Sequence, residues 1–382
     1  MADEVLAACL GPDDERLGTA LAAVTDWSDL VERSLCQGIH VLLLRRLETL
    51  GGDRVASQTV AALRDLHRDS DRRASRLVAQ LLKILDLFAG RGIVAVPFKG
   101  PALAQDLYGD LSTRRFDDLD ILVAPQDVLR ARDLLLANGF ARVQPRREVP
   151  EGVLLRNEGE LAVQRGERDP LVELHWRVGW RLAAVSIPAE EIIACAWPLD
   201  LLGREVFAPS IGDQVLILCT HGASHAWHEL EMMAAVVTAA RRVAARDWPA
   251  LLHRARRFAC LRRVLVGLVL SHETAAAVLP HEVRLRAAAD PAVRRLVDEV
   301  RDVWRDAGRP PSSGERLRRI AWLARTEDSR RAAAAHLTAR TLTPGPEDWD
   351  SLALPASLSG LYYLWRPLRL VGKFARRTAS AD

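Results

Sequence analysis

The chain opens with helical spacing. In "WSDLVERSLCQGIHVLLLRRLETLGG" apolar residues recur at three- and four-residue steps and the run stops at Gly51-Gly52. "TVAALRDLHRDSDRRASRLVAQLLKILDLFAGRG" is a long amphipathic stretch closed by Gly90 and Gly92. Both predict packing helices, with His40 and His67 as satisfied structural histidines. From Gly92 the period shortens. "GIVAVPF" (92–98) is short and β-branched, bounded by Gly and Lys-Gly, and predicts a buried strand. "PALAQDLYGD" predicts a short helix with Pro101 in its first turn, where the missing N–H is harmless. "DLDILVA" follows as a second strand, then "PQDVLRARDLLLANGF" as a helix closed by Asn138-Gly139. Across 140–177 polar and apolar positions alternate between turn signals in "ARVQPRREV", "GVLLRN", "LAVQRG" and "LVELHWRV". That pattern predicts short antiparallel strands, the last carrying Glu173. After "REVFAPS" helical periodicity returns, and "TLTPGPEDWDSLALPAS" reads as a proline-containing linker before the tail "LSGLYYLWRPLRLVGKFARRTASAD".

This order predicts an α+β protein in which a small mixed or antiparallel sheet with helices is flanked by helical regions on both sides. The expected division is a helical region over 1–90, an α/β core over 91–210, a second helical region over 211–340, and a linker with an aromatic and basic tail over 341–382. No internal repeat appears at solenoid periods. With 382 residues, 49% of them hydrophobic, the chain can build two or three packed layers. Its 53 basic and 50 acidic residues nearly cancel, which disfavours long nucleic acid as a partner. The five cysteines (Cys9, Cys36, Cys195, Cys219, Cys260) are odd in number and never form Cys-x-x-Cys, which argues against a zinc ribbon or a disulfide framework. The N-terminal stretch has acids where a signal peptide has cations, and no apolar run reaches about 18 residues. A cytoplasmic protein without a transmembrane segment is therefore expected. The tail combines Arg, Lys and apolar residues in a way that could suit an anionic membrane surface, but Trp365 and Tyr362-Tyr363 favour docking on the core.

Only three of the basic residues are lysines, Lys83, Lys99 and Lys373, so Lys99 in "VPFKGPAL" stands out. It leads into "RRFDDLDILV" (114–123). On a strand, Asp118 and Asp120 share one face while Leu119, Ile121 and Val123 share the other. Two such carboxylates can converge on one or two hard divalent cations, which prefer oxygen ligands and leave room for substrate phosphates. An isolated Asp-x-Asp is more commonly a solvated strand edge. Here Lys99-Gly100 precedes it, Arg114 stands four positions before Asp118, and Glu173 follows in a strand of the same sheet with His175 on its face. Arg114 has two readings, a planar fork for phosphate oxygens or a salt bridge to Asp117, which itself alternates away from the pair. His221, His225 and His228, spaced by four and three, predict one helical face. Without His-Glu-x-x-His they read as contacts to the core or an acceptor pocket ahead of zinc ligands.

"GIVAVPFKGPALAQDLYGDLSTRRFDDLDILV", with a strand, Lys-Gly, a helix ending in Leu-Tyr, an Arg and Asp-x-Asp on a strand, resembles the signature of the poorly characterised nucleotidyltransferase family within the polymerase-β-type superfamily. "VELHW", "THGASHAWHEL" and "LYYLWRPLRL" are similar to family blocks in the same order. The resemblance implies a nucleotidyltransferase sheet and Mg²⁺-dependent transfer, with Mn²⁺ as a substitute, of NMP from an NTP to an unidentified small molecule, peptide or protein. It further implies that Asp118, Asp120 and Glu173 are the catalytic, metal-binding carboxylates, Glu173 either ligating metal or activating the acceptor. Lys99, Gly100 and Arg114 would contact the nucleotide, and His175, His221 and His225 the acceptor. Two departures stand out. The wider superfamily has Gly-Ser where this chain has Lys99-Gly100, with a shorter gap to the Asp pair; and the family's acid on the helix after the histidines is missing at Ala234 and Ala235. The alternatives are a fold retained as a binding or regulatory module, and a hydrolase or phosphotransferase that uses the same acids.

Overall fold

The computed structural model describes residues 2–50, 55–146, 149–179, 185–305 and 315–378. The helix stop at Gly51-Gly52 and the pair Arg147-Glu148 of the third predicted strand lie outside them. Five helices come first: α1 (Ala2–Cys9), α2 (Asp14–Ala22), α3 (Trp27–Cys36), α4 (His40–Thr49) and α5 (Ser57–Ala89). Asp13 and Asp26 cap α2 and α3 by accepting hydrogen bonds from first-turn N–H groups. His40 Nε2 and His67 Nε2 reach the Ser70 and Ser112 hydroxyls at 3.0 and 2.7 Å, while His40 Nδ1 is buried without a partner, so His40 is only half satisfied.

The central sheet has five strands, β1 (Ala95–Pro97), β2 (Asp118–Val123), β3 (Ala141–Gln144), β4 (Glu160–Gln164) and β5 (Leu171–His175), in the order β1-β2-β5-β4-β3. Only β2 and β5 run parallel; the other neighbours are antiparallel, so the sheet is mixed. Between the strands lie α6 (Gly100–Tyr108), α7 (Val128–Ala137) and α8 (Glu151–Asn157). The segment "GVLLRN", expected as a strand, is helix α8. Its buried residues Leu154 and Asn157 are three apart, and a short apolar run such as Val153-Leu154-Leu155 suits a helix turn as well as a strand.

The two faces of the sheet differ. Leu119, Ile121 and Val123 of β2, Val172 and Leu174 of β5, and Leu161 and Val163 of β4 pack with Leu77, Val78, Leu81, Ile84 and Phe88 of α5 and Val128, Ala131 and Leu135 of α7. This apolar layer anchors the sheet and leaves the alternate residues of the same strands for the opposite face.

Beyond β5 the chain forms two hairpins, β6 (Arg177–Val178) with β7 (Ile187–Pro188) and, after α9 (Ala189–Ile193), β8 (Trp197–Leu201) with β9 (Arg204–Ala208). The rest is helical: α10 (Ile211–Ser224), α11 (Leu230–Arg242), α12 (Trp248–Arg257), α13 (Leu261–Ala275), α14 (His281–Ala288), α15 (Pro291–Arg305), α16 (Glu315–Arg325), α17 (Arg330–Leu342), α18 (Pro346–Ser351) and α19 (Tyr362–Thr378). A second core unites the N-terminal helices, through Leu6, Leu17, Leu30 and Leu43, with Val236 of α11 and Val264 of α13 and with Phe98 and Leu122 on the sheet. The helical regions before and after the sheet thus share one apolar interior. Within the stretch read as a linker, α18 buries Trp349. No helix among the described residues is long and apolar enough to cross a membrane.

Candidate active site

Pleating and register assemble the acidic face. In the parallel β2–β5 pair Asp120 lies beside Glu173 and Leu122 beside His175, while across the antiparallel β4–β5 pair Glu160 faces His175. Asp118, Asp120, Glu173 and His175 therefore project from one face, opposite the apolar layer. Asp120 is buried there. Lys99 Nζ donates to Asp120 Oδ1 at 2.8 Å. His175 Nε2 stands 2.9 Å from the same oxygen and 3.5 Å from Glu173 Oε2, and its Nδ1 is 3.3 Å from Glu160 Oε2. The Phe98 ring meets the imidazole edge-on with centroids 4.9 Å apart. The Nε2 approach to Asp120 is close but poorly directed as a hydrogen bond, so this buried nitrogen lacks a well-aligned partner.

Charges in this small volume shift one another. Burial, then the neighbouring Asp120 carboxylate and more weakly Glu173, push Asp118 up to about 6 against the pull of Lys99. Burial would raise Asp120 too, but Lys99 and His175 outweigh it and hold Asp120 well below the usual carboxylate range. Burial disfavours the charge on His175, yet Asp120, Glu173 and Glu160 carry it up to about 9. Burial likewise opposes the Lys99 charge, and Asp120 more than compensates, raising Lys99 above the ordinary lysine value.

Gly100 sets where α6 meets the strand. Its φ of +54° belongs to the left-handed region, and a Cβ there would stand 3.3 Å from the Asp118 carbonyl oxygen. A glycine thus brings the start of α6 against the start of β2. Lys99, preceding the first turn, caps it with no side-chain hydrogen bond.

Arg114 does not pair with Asp117, the salt-bridge partner expected for it. It is buried and ion-paired with Glu231 at the start of α11, while Asp117 is held by Arg73 at 2.9 Å and lies 3.7 Å from Arg115. Its Nη1 is buried without a partner. Gln37, at the end of α3, fixes the start of α11: its side-chain oxygen accepts from Leu230 N at 2.8 Å and its carbonyl from Glu231 N at 3.1 Å. In the sequence Glu231 stood out only as an acid near the histidines, and its pairing with Arg114 was missed because the family's acid was sought at Ala234 or Ala235. It sits four residues before Ala235, one turn earlier on the same helical face, so a search that allowed a one-turn shift would have found it.

The three histidines do not share one helix. Helix α10 ends at Ser224, His225 is its C-cap, and Ala226 and Trp227 adopt positive φ before α11 begins. The cause is packing. Trp227 folds back so closely that a Cβ on Gly222 would fall 2.3 Å from its ring, and Trp227 N donates to the Gly222 carbonyl at 2.9 Å. The His221 and His225 rings remain in contact, with centroids 4.5 Å apart and planes tilted by 47°, while His228 turns to Glu229 at 3.3 Å. Burial, Lys99 and His225 push His221 well below the ordinary histidine value, opposed by Asp120. Burial and Arg319 push His225 down to about 4. Both imidazoles are therefore held neutral near pH 7.

Among the described residues, one group could hold a metal ion: Asp120, Glu173 and His175, whose ligand atoms lie within 4.8 Å of one another. Asp118 shares their face but lies outside that group. Two carboxylates, an imidazole nitrogen without an aligned partner and a third carboxylate raised by burial and by Asp120 are a donor set suited to a divalent cation. A cavity of about 460 Å³ lined by Arg76, Lys83, Phe140 and Arg165 contains none of these residues; convergence of side chains, not cavity size, locates the site.

The sequence profile of a family described as uncharacterised nucleotidyltransferases matches residues 23–276. No curated protein gives a significant match. A solved solution structure of the antibiotic-resistance factor ANT(2″)-Ia is similar at 16% identity, covering 48% of this chain and 94% of that one, with a TM-score of 0.36.

Proposed function

The chain belongs to the uncharacterised nucleotidyltransferase family, and on that premise we propose that it moves NMP from an NTP onto an acceptor hydroxyl or phosphate in a divalent-cation-dependent reaction. The observation that carries this reading is the register that sets Glu173 beside Asp120, on the face shared with Asp118 and next to Lys99.

A cation held by the Asp118, Asp120 and Glu173 carboxylates, with His175 Nε2 beside them, would supply the positive charge that stabilises attacking and leaving oxygens. Mg²⁺ suits the oxygens, and Mn²⁺ also accepts imidazole nitrogen. Lys99 contributes a point charge, and the first-turn N–H groups of α6, beginning at Gly100, contribute donors for phosphate oxygens. Arg114, fixed by Glu231, has Nη1 free to donate to another. The acceptor oxygen attacks the α-phosphorus, the bond to the pyrophosphate oxygen breaks, and pyrophosphate leaves. Glu173, whose side chain keeps 22% of its exposure, is suited to take the acceptor's proton. His175, neutral His221 and neutral His225 line the acceptor side. Catalysis is assigned to the core of residues 91–210, between helical regions 1–90 and 211–340 and the C-terminal part 341–382. Five unpaired cysteines suit a reducing, cytoplasmic setting.

Incubating the protein with each NTP labelled at the α-phosphate, Mg²⁺ or Mn²⁺ and a cell extract tests the reading. Label should move to an acceptor with matching pyrophosphate release, and chelation should stop both. An intact protein that binds no NTP and releases no pyrophosphate would overturn it. The Lys99–Asp120 pair favours one second reading, a regulatory module whose own ammonium occupies the cation's place. That reading predicts NTP binding without pyrophosphate release.

A further inference from the structure

Helix α10 gives way to a strained turn. Ala226 and Trp227, with φ of 53° and 54°, are the only consecutive non-glycine residues of positive φ among the described residues. A left-handed residue that carries a Cβ is unfavourable, and two in succession persist only where the surroundings hold them. The Trp227 ring is fully buried against Gly222 and Gly267, with its Nε1 left without a partner. Donors from two distant helices complete the hold. The final carbonyls of a helix are open to outside donors, and around this turn the Ala223, Ser224 and Trp227 carbonyls accept from Trp322 Nε1 at 2.7 Å, Arg319 Nη2 at 3.2 Å and Trp304 Nε1 at 2.5 Å. Trp304 belongs to α15 and the other two to α16, both beyond the residues matched by the family profile. A packed indole is a rigid donor, because the ring that is buried fixes the direction of its N–H.

His225 immediately precedes the left-handed pair, and its ring touches that of His221, with centroids 4.5 Å apart. Lys99, Asp120 and Arg114 all act on the charge of His221, which places it close to the candidate active site. Any movement of the turn therefore moves the two imidazoles relative to the carboxylates. We propose that Trp304 and Trp322 are positioning residues for the transfer reaction: their indole N–H groups hold the Ala226–Trp227 turn and so place the His221–His225 pair for the acceptor. The assignment rests on the transfer reading given above. It gives the C-terminal helices a part in the reaction although neither tryptophan touches a substrate.

Trp304→Phe and Trp322→Phe each keep an apolar ring and remove the donor; Trp304 is only half-buried, so its variant serves even if Trp322→Phe fails to fold. In the full chain labelled with ¹⁵N at histidine, imidazole spectra should show the His221 and His225 signals, identified with His221→Gln and His225→Gln, displaced in both variants. Trp365→Phe, which removes the bond from α19 to Ser351, should leave them in place. Transfer of α-phosphate label to the acceptor in a cell extract should fall at least tenfold, the scale expected when reacting groups are slightly misplaced, with NTP affinity by titration calorimetry within about twofold of the parent. Unmoved histidine signals would overturn the proposal, as would displaced signals with unchanged transfer, or an NTP affinity that falls along with transfer. A parent protein that moves no label would instead sink the transfer reading, and this assignment with it.

Discussion

Two clusters in this protein bury charge around a histidine, and they differ in what surrounds them. In the helical part, Glu327 receives Arg263 at 3.0 Å and His336 Nδ1 at 2.7 Å, and all three side chains are fully buried. On the sheet, Asp120 receives Lys99 and His175, but Asp118, Glu173 and Glu160 add carboxylates around the same centre, and Glu173 remains partly exposed. The helical cluster joins α13, the turn before α17 and α17 itself, and none of its three side chains reaches solvent. The sheet cluster holds a surplus of negative charge within reach of solvent, and Asp118, raised first by burial, is raised further by the Asp120 and Glu173 carboxylates. A buried ion pair alone indicates assembly; surplus carboxylate charge on an accessible strand face indicates a site.

Four measurements can break or sharpen this contrast. Glu327→Gln should have the largest effect, a loss of about 3–5 kcal/mol in denaturant unfolding because Arg263 is left buried and unpaired. The transfer rate per folded molecule should not change. Glu173→Gln should do the reverse: a fall of about 10²–10³ in transfer rate, as for loss of a group that stabilises the transition state, with stability within about 1 kcal/mol of the parent. If Glu173→Gln unfolds the protein and Glu327→Gln abolishes transfer, the two roles are misassigned.

The pH dependence comes next. Folded His175 titrates at about 9 against 6.5 for a free histidine, so its stabilising contribution is complete below about pH 6.5 and is lost as pH rises through about 9. In the metal-free protein, stability relative to His175→Gln should decline by up to about 3 kcal/mol across that window. His40 and His225, both pushed down to about 4, act below the window. A flat difference between the two proteins would remove the coupling of His175 to the carboxylates. The smallest effect is Gly100→Ala, which forces a left-handed conformation on alanine at a cost of about 1–2 kcal/mol. It should also weaken NTP binding by displacing the start of α6 from Asp118, measurable by titration calorimetry.

Much of the architecture was legible because it depends on period alone. The strand at "DLDILV" and the shared face of Asp118 and Asp120 follow from alternation, and the long α5 follows from its 3.6-residue stripe. "GVLLRN" was misread because three adjacent apolar residues carry no period. The histidines were placed on one helix because nothing local in "THGASHAWHEL" reveals that Trp227 must find the space above Gly222.

What the sequence by itself determined was which residue types could do chemistry and which side of their own strand or helix they occupy, since side-chain direction is set within a few residues along the backbone. Only the tertiary structure decided their partners. The parallel register that brings Glu173 to Asp120, the exchange of Asp117 for Glu231 as the partner of Arg114, and the rotation of α19 that turns its leucines outward all join segments far apart in the chain. Such pairings follow from which surfaces pack and which charges must be buried together, a balance summed over the whole core that no local pattern contains.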